Sequence, residues 1–249
     1  MKTYGFALII FLLGSILGCD YIDALTSEDE ILFSTLPLKP FDEVVIDTSV
    51  KLILKNDSVY HARLQGLGFV LSRLNIKQVG KIIYLEADGA GFRKKQAAEV
   101  ILHAPSFKIL TSNWPAEIVT KDTLRLNHFS MVINGRGAFT ASDITIKANS
   151  LSIAAYGSNA GTHVFRGEVE TFRVISEGLT SIDARNLLAH KVNYTQRSVN
   201  PAYVFATEQL VVEMAAAGSI YLWGNPQVSV DKQLPTYEVK LGEVVKNNP

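Results

Sequence analysis

Between Lys108 and Pro226 one short apolar pattern returns about every 20 residues, a period typical of stacked-repeat architectures. Its copies are KILTS at Lys108, SMVIN at Ser130, LSIAA at Leu151, FRVIS at Phe172, KVNYT at Lys191 and LVVEM at Leu210. Each is rich in β-branched or large apolar residues, as a strand requires. Most are followed by small or turn-forming residues: Gly135 and Gly137, Gly157 to Gly161, Gly178, Asn200-Pro201 and Gly218-Ser219. The pattern predicts a parallel β-helix-like solenoid. Strands of successive coils pair through their backbones, and inward side chains pile into apolar columns that no single coil could bury. Ile133, Ile153, Val174 and Val211 are expected to be neighbours in such a stack. A rival arrangement, an antiparallel sandwich, would place turns every 8–12 residues or so.

The segment 41–104 reads as an N-terminal β region packed on the solenoid or continuing it. Phe41 to Val50 and Lys51 to Lys55 are strand-like, and Asn56-Asp-Ser58 is turn chemistry. Val59 to Gln65 is expected to return as a strand. Leu74 to Gln78 and Lys81 to Glu86 follow, joined across Val79-Gly80. After a loop carrying Arg93-Lys94-Lys95, Ala98 to His103 leads into a corner at Pro105. The solenoid region is expected over 105–241. Gly218 to Pro226, Gln227 to Val230 and Tyr237 to Leu241 would close its open end, leaving 242–249 as a frayed tail.

The first residues address the protein. Lys2, the apolar run Phe6 to Leu13 and Ser15-Ile-Leu-Gly-Cys19 read as an export signal over 1–18, too short for a membrane span of about 20 residues. Gly18 before the only cysteine resembles a bacterial lipoprotein cleavage box. Cys19 is thus the expected lipid attachment site, with 19–40 as anchor and acidic tether. The membrane is then a partner, and the expected location is the bacterial cell envelope, as an outer-membrane lipoprotein facing the periplasm or the outside. An ordinary secretory signal with an incidental cysteine is the other reading. With Cys19 acylated, no thiol remains for a disulfide or a thiolate metal site. Lys+Arg and Asp+Glu are both 24, so no global charge draws nucleic acid.

Several stretches carry a family likeness: Phe41-Asp-Glu-Val, Lys55-Asn56-Asp57, Ala98 to Phe107 (AEVILHAPSF) and the closing Gly218 to Val230 (GSIYLWGNPQVSV). Together with the lipoprotein signal, this order resembles the bacterial "head GIN domain" family, labelled as auto-transporter adhesins. The likeness covers about Phe41 to Val230. It implies a right-handed β-helix whose coils usually end in Gly-Ser-Gly-Asp. In this chain that ending is eroded to Asn134 to Ala138, Tyr156 to Asn159, Glu177 to Thr180 and Ala217 to Ile220. The family carries no settled activity, so none is implied.

Two functional readings remain open. The first is a non-catalytic, lipid-anchored envelope scaffold binding glycan, protein or another envelope component. The second is a β-helix carbohydrate-active enzyme, a polysaccharide lyase or hydrolase. The second needs a base, an acid and charge stabilisation converging on one outer face. Asp183 and Arg185, two apart and so on one strand face, are candidates, with Lys191, Arg197, Arg173 and Glu177 on neighbouring coils. Asp143 and Asp183 lie about two coils apart, near 10 Å if stacked. A solvated face of mixed charge accounts for the same residues without catalysis, and no catalytic motif is found. A self-assembling structural component is a third, lesser reading. Tyr221 and Trp223 share a face. They are expected to turn inward and plug the last coil; turned outward, they could stack on sugar rings or seat a partner. The possible binding face is therefore Asp183, Arg185, Lys191, Arg197, Tyr221 and Trp223. His61, His103, His128, His163 and His190 show no metal-binding spacing, so no metal or cofactor is expected.

Overall fold

In the computed structural model, residues 30–88, 97–135, 139–233 and 240–247 are described. The export signal, Cys19, Arg93-Lys94-Lys95, residues 136–138 and the start of the Tyr237 to Leu241 segment lie outside them. The described chain is almost entirely strand, a β-solenoid of about 6 turns.

The strands β8 (Ile109–Ser112), β9 (Ala116–Thr120), β10 (Leu124–Ile133), β11 (Ala141–Ala155), β12 (Thr162–Gly178), β13 (Ser181–Ser198) and β14 (Ala202–Met214) stack in parallel. Beyond them lie β15 (Ile220–Trp223) and β16 (Gln227–Lys232), both on β14, and β17 (Val244–Lys246) on β15. Alternation of inward and outward side chains follows from the strand pleat. The inward ones form continuous columns. Phe129, Leu151, Phe172, Val192 and Leu210 make one, and Met131, Ile153, Val174, Tyr194 and Val212 the next. All ten are buried, and each large apolar side chain so enclosed contributes about 1.5–3 kcal/mol.

The expected column is correct in kind and shifted in detail. Ile153 stacks on Val174, but Ile133 belongs to the neighbouring inward column with Ala155, Ser176, Gln196 and Met214. Val211 points outward and is 36% exposed, its expected place being taken by Val212. Coil length explains the difference. Ile153 meets Val174 after 21 residues, whereas Tyr194 meets Val212 after 18, so no constant spacing finds the partner, and a misplacement of one position exchanges the two faces.

Glycine is required where a coil turns sharply. Gly178 has φ +66°, and a Cβ there would lie 2.5 Å from the Gly157 carbonyl oxygen of the coil before. Within β12, Gly167 (φ +114°) lets the strand bend against Ile146, whose carbonyl oxygen would lie 2.0 Å from a Cβ. The apolar pattern gave no hint of that second bend.

The N-terminal region continues the stack, but out of chain order. β2 (Glu43–Ile46) and β3 (Val50–Asn56) lie parallel against β8 and β9. On their other side lie β6 (Ile82–Ala87) and β7 (Ala98–Ala104), also parallel. Among the described residues only the outermost strands pair antiparallel: β5 (Leu74–Val79) on β6, β4 (His61–Leu67) on β7, and β1 (Ile31–Pro37) on β4. A short helix, α1 (Gly68–Leu71), links β4 to β5. The turn at Asn56 to Ser58 therefore does not close a hairpin between β3 and β4. Both edges of β3 are already occupied by β7 and β9, so β4 pairs with β7 instead. At the other end, Lys240 and Leu241 are outside any strand; the closing strand is Val244–Lys246, within the expected tail.

Candidate functional site

On the outer face of the last coils, one register position runs through Val164, Asp183, Tyr203, Tyr221 and Val245. The next outward position pairs Phe205 with Trp223. Ile220 and Leu222 are the buried members of β15, so Tyr221 and Trp223 face outward, half-buried, and do not plug the coil. The inward expectation fails because alternation is fixed by Ala202 and Val204, which β15 must match in the core.

Tyr203 and Tyr221 stack with centroids 5.3 Å apart and planes 17° apart, and Trp223 leans on Tyr203 at 6.1 Å. Register along β13 slips after Ala184, since Val164 faces Asp183 while Arg166 faces Asn186. Such a bulge re-aims the side chain it displaces. Here that side chain is Arg185. Its guanidinium carbon lies 4.3 Å from the Tyr203 centroid and 5.6 Å from that of Trp223. Its Nε donates to Asp183 Oδ1 at 2.8 Å. The carboxylate makes the Arg185 proton still harder to remove. Asp183, Arg185, Tyr203, Tyr221 and Trp223 thus form one rigid patch of rings, hydroxyls and one paired charge. Tyr203, its central member, has no signal in the sequence. Only the register brings it between residues some 18 positions to either side.

Lys191 and Arg197 are elsewhere. Lys191 pairs with Glu170 at 3.5 Å and Glu208 at 3.8 Å. Arg197 bridges Glu177 at 3.6 Å and Glu213 at 3.2 Å. Asp143 and Asp183 do occupy one column, separated by Val164, but Asp143 is bound by Arg166 and Asp183 by Arg185. The single groove joining Asp183, Arg185, Lys191 and Arg197, which the catalytic reading needs, is not formed. A different groove, of 410 Å³, runs over Ser152, Ala154, Arg173, Ile175, Asn193 and Val211. The Arg173 side chain lies in it without a hydrogen-bond or ion-pair partner among the described residues.

Among the described residues one group could hold a metal ion: Asp57, His61 and His103. The chain spacing hid it because the set is assembled across strands, where His61 of β4 sits directly opposite His103 of β7.

With this geometry in view, comparison with known proteins is informative. The family model described as "Putative auto-transporter adhesin, head GIN domain" matches residues 40–226. The chain belongs to this family. No curated protein matches it. Among solved structures, a "putative adhesin" from Bacteroides fragilis NCTC 9343 superposes with a TM-score of 0.76 at 16% identity, covering 89% of this chain and 98% of that one. A "putative adhesin" from Parabacteroides merdae ATCC 43184 gives 0.58 at 13% identity, over 89% and 98%. A "putative lipid binding protein" from Parabacteroides distasonis ATCC 8503 gives 0.57 at 14% identity, over 88% and 95%. At these identities the likeness establishes the fold of the head GIN domain. The family name is that of a cell-envelope or surface protein.

Proposed function

We propose that this head GIN domain protein is a non-catalytic adhesin of the cell envelope. In this reading it is tethered through a lipid on Cys19 and holds a glycan or protein ligand on the patch around Tyr203. The observation that carries the reading is the packing of Arg185, Tyr203, Tyr221 and Trp223 into one ordered, half-exposed surface. Tyr, Trp and Arg dominate the energetics of recognition because they offer large rigid area with polar tips. Here stacking and the Asp183 hydrogen bond have already ordered the side chains, so little further rotamer entropy is lost on binding. Scattering of Lys191 and Arg197 into separate ion pairs removes the motive for the enzymatic alternative.

The anchor finds support in β1, which begins 12 residues beyond Cys19 and leaves Ile31, Leu32 and Phe33 exposed at 57%, 49% and 70%. Apolar side chains beside an acylated terminus suit a bilayer surface. Two experiments test the proposal. Cys19→Ser releases the protein from the membrane fraction while leaving its thermal unfolding unchanged; continued retention refutes the anchor. A screen of glycans and envelope proteins finds a ligand whose binding Tyr221→Ala and Trp223→Ala each weaken by at least about tenfold, as truncation of a hot-spot aromatic does. Ligands indifferent to both substitutions refute the patch.

A further inference from the structure

At the N-terminal end of the stack, Asp57 and His61, four residues apart, meet the distant His103 on one outer face. Asp57 follows β3 and is held there by a backbone hydrogen bond from its N–H to the Ala104 carbonyl, 2.9 Å. His103 is the penultimate residue of β7, and His61 opens β4 directly opposite it. One donor atom from each lies within 4.8 Å of the others. His103 Nδ1 is 2.9 Å from Asp57 Oδ2, and the two imidazole rings are stacked with centroids 3.9 Å apart. His103 is only 5% exposed although it points away from the core, and its Nε2 has no partner among the described residues.

We propose that Asp57, His61 and His103 form a binding site for one transition-metal dication of the Zn²⁺ class. Two imidazoles and a carboxylate are a nitrogen-rich, borderline-soft set, which favours zinc, copper or nickel over the all-oxygen cages of Ca²⁺ and Mg²⁺. The donors are nearly in place. Two ligands at zinc bond lengths in a tetrahedral site sit about 3.4 Å apart, so the 2.9 Å contact between His103 and Asp57 must open by about half an ångström for an ion to replace the shared proton. The stacked His61 ring must also tilt, because parallel rings aim their lone pairs side by side. His61 is half-exposed and has room to turn. Water takes the remaining position. Lys55, opposite His103 on β3, is a neighbouring cation; its long stem lets the ammonium withdraw into solvent. The bound ion ties the end of β3 to β4 and β7, where the solenoid changes from parallel to antiparallel pairing.

The test uses the full chain in detergent, stripped of metal and titrated with Zn²⁺ by calorimetry and with Co²⁺ by visible absorption. One ion per chain is expected, with the Co²⁺ d–d bands of a low-coordinate nitrogen and oxygen site. Saturating Zn²⁺ should raise Tm. His61→Ala, at a half-exposed position that tolerates truncation, should weaken Zn²⁺ by at least about tenfold, and Asp57→Asn should do likewise. His190→Ala, which removes another histidine close to a carboxylate, should change nothing. Absence of stoichiometric binding overturns the proposal. So does binding that survives His61→Ala and Asp57→Asn, or that disappears with His190→Ala.

Discussion

Arg185 lies over Tyr203, its guanidinium carbon 4.3 Å from the ring centroid, while its Nε donates to Asp183 Oδ1. Neither residue neighbours the other in the chain. A bulge in β13 and the pairing of β13 with β14 create the contact. Tyr203 is therefore in contact with both Arg185 and Tyr221, so its removal should cost more than loss of a surface tyrosine. Tyr203→Ala is expected to destabilise by about 1–2 kcal/mol in urea unfolding. Asp183→Asn should cost less than about 1 kcal/mol, as exposed ion pairs do. Equal effects of the two would mean that the rings contribute nothing to order.

A second test concerns the polar inclusion in the core. Tyr194 donates to Ser176 Oγ at 3.1 Å, and Ser176 donates to Gln196 Oε1 at 2.6 Å. Gln196 also receives the Ser198 N–H and donates to the Asn200 carbonyl. Tyr194→Phe leaves every other member with a partner and should cost about 1 kcal/mol. Gln196→Met copies Met214 of the following coil but strands several buried groups, so about 2–4 kcal/mol is expected. Denaturant midpoints of the two variants decide the order.

Burial pushes His163 down to about 4; the side chain is enclosed among the coils with Ser142 as its hydrogen-bond partner. Unfolding releases it to an ordinary imidazole near 6.5. Between those values the unfolded chain binds more protons than the folded one, so stability must fall as pH drops from about 6.5 to about 4. The loss attributable to this group is about 2–4 kcal/mol. His163→Leu should flatten that window in a series of thermal melts. An unchanged slope between wild type and variant would place the pH dependence elsewhere.

Gly178→Ala sets a Cβ against the Gly157 carbonyl at a left-handed corner. Its cost should exceed about 2 kcal/mol, combining strain and close contact. Gly80, also left-handed (φ +58°) but with nothing within 4 Å of a Cβ, should lose only about 1 kcal/mol on the same substitution, from backbone strain alone. Thermal unfolding of both variants separates strain from collision.

How much of this was legible in the chain varies by element. The β5–β6 hairpin around Gly80 was readable because its turn residue and its two strands are contiguous. The expected β3–β4 hairpin had equally good turn residues at Asn56 to Ser58. It did not form because distant strands had claimed β3, and turn chemistry carries no record of competition for an edge. Asp183 with Arg185 was legible, two apart on one strand. Tyr203 beside them, and His61 opposite His103, were not, since each depends on pairing across coils or strands.

The sequence by itself determined that this is a stack of parallel coils. A period near 20 residues, strand-forming apolar segments and turn residues between them leave each coil unable to bury its own face. Only the tertiary structure decided which side chains meet. The pleat encodes alternation, but absolute register depends on the summed length of every corner and bulge. One position along β14 separates Val211, turned to solvent, from Val212, turned to the core.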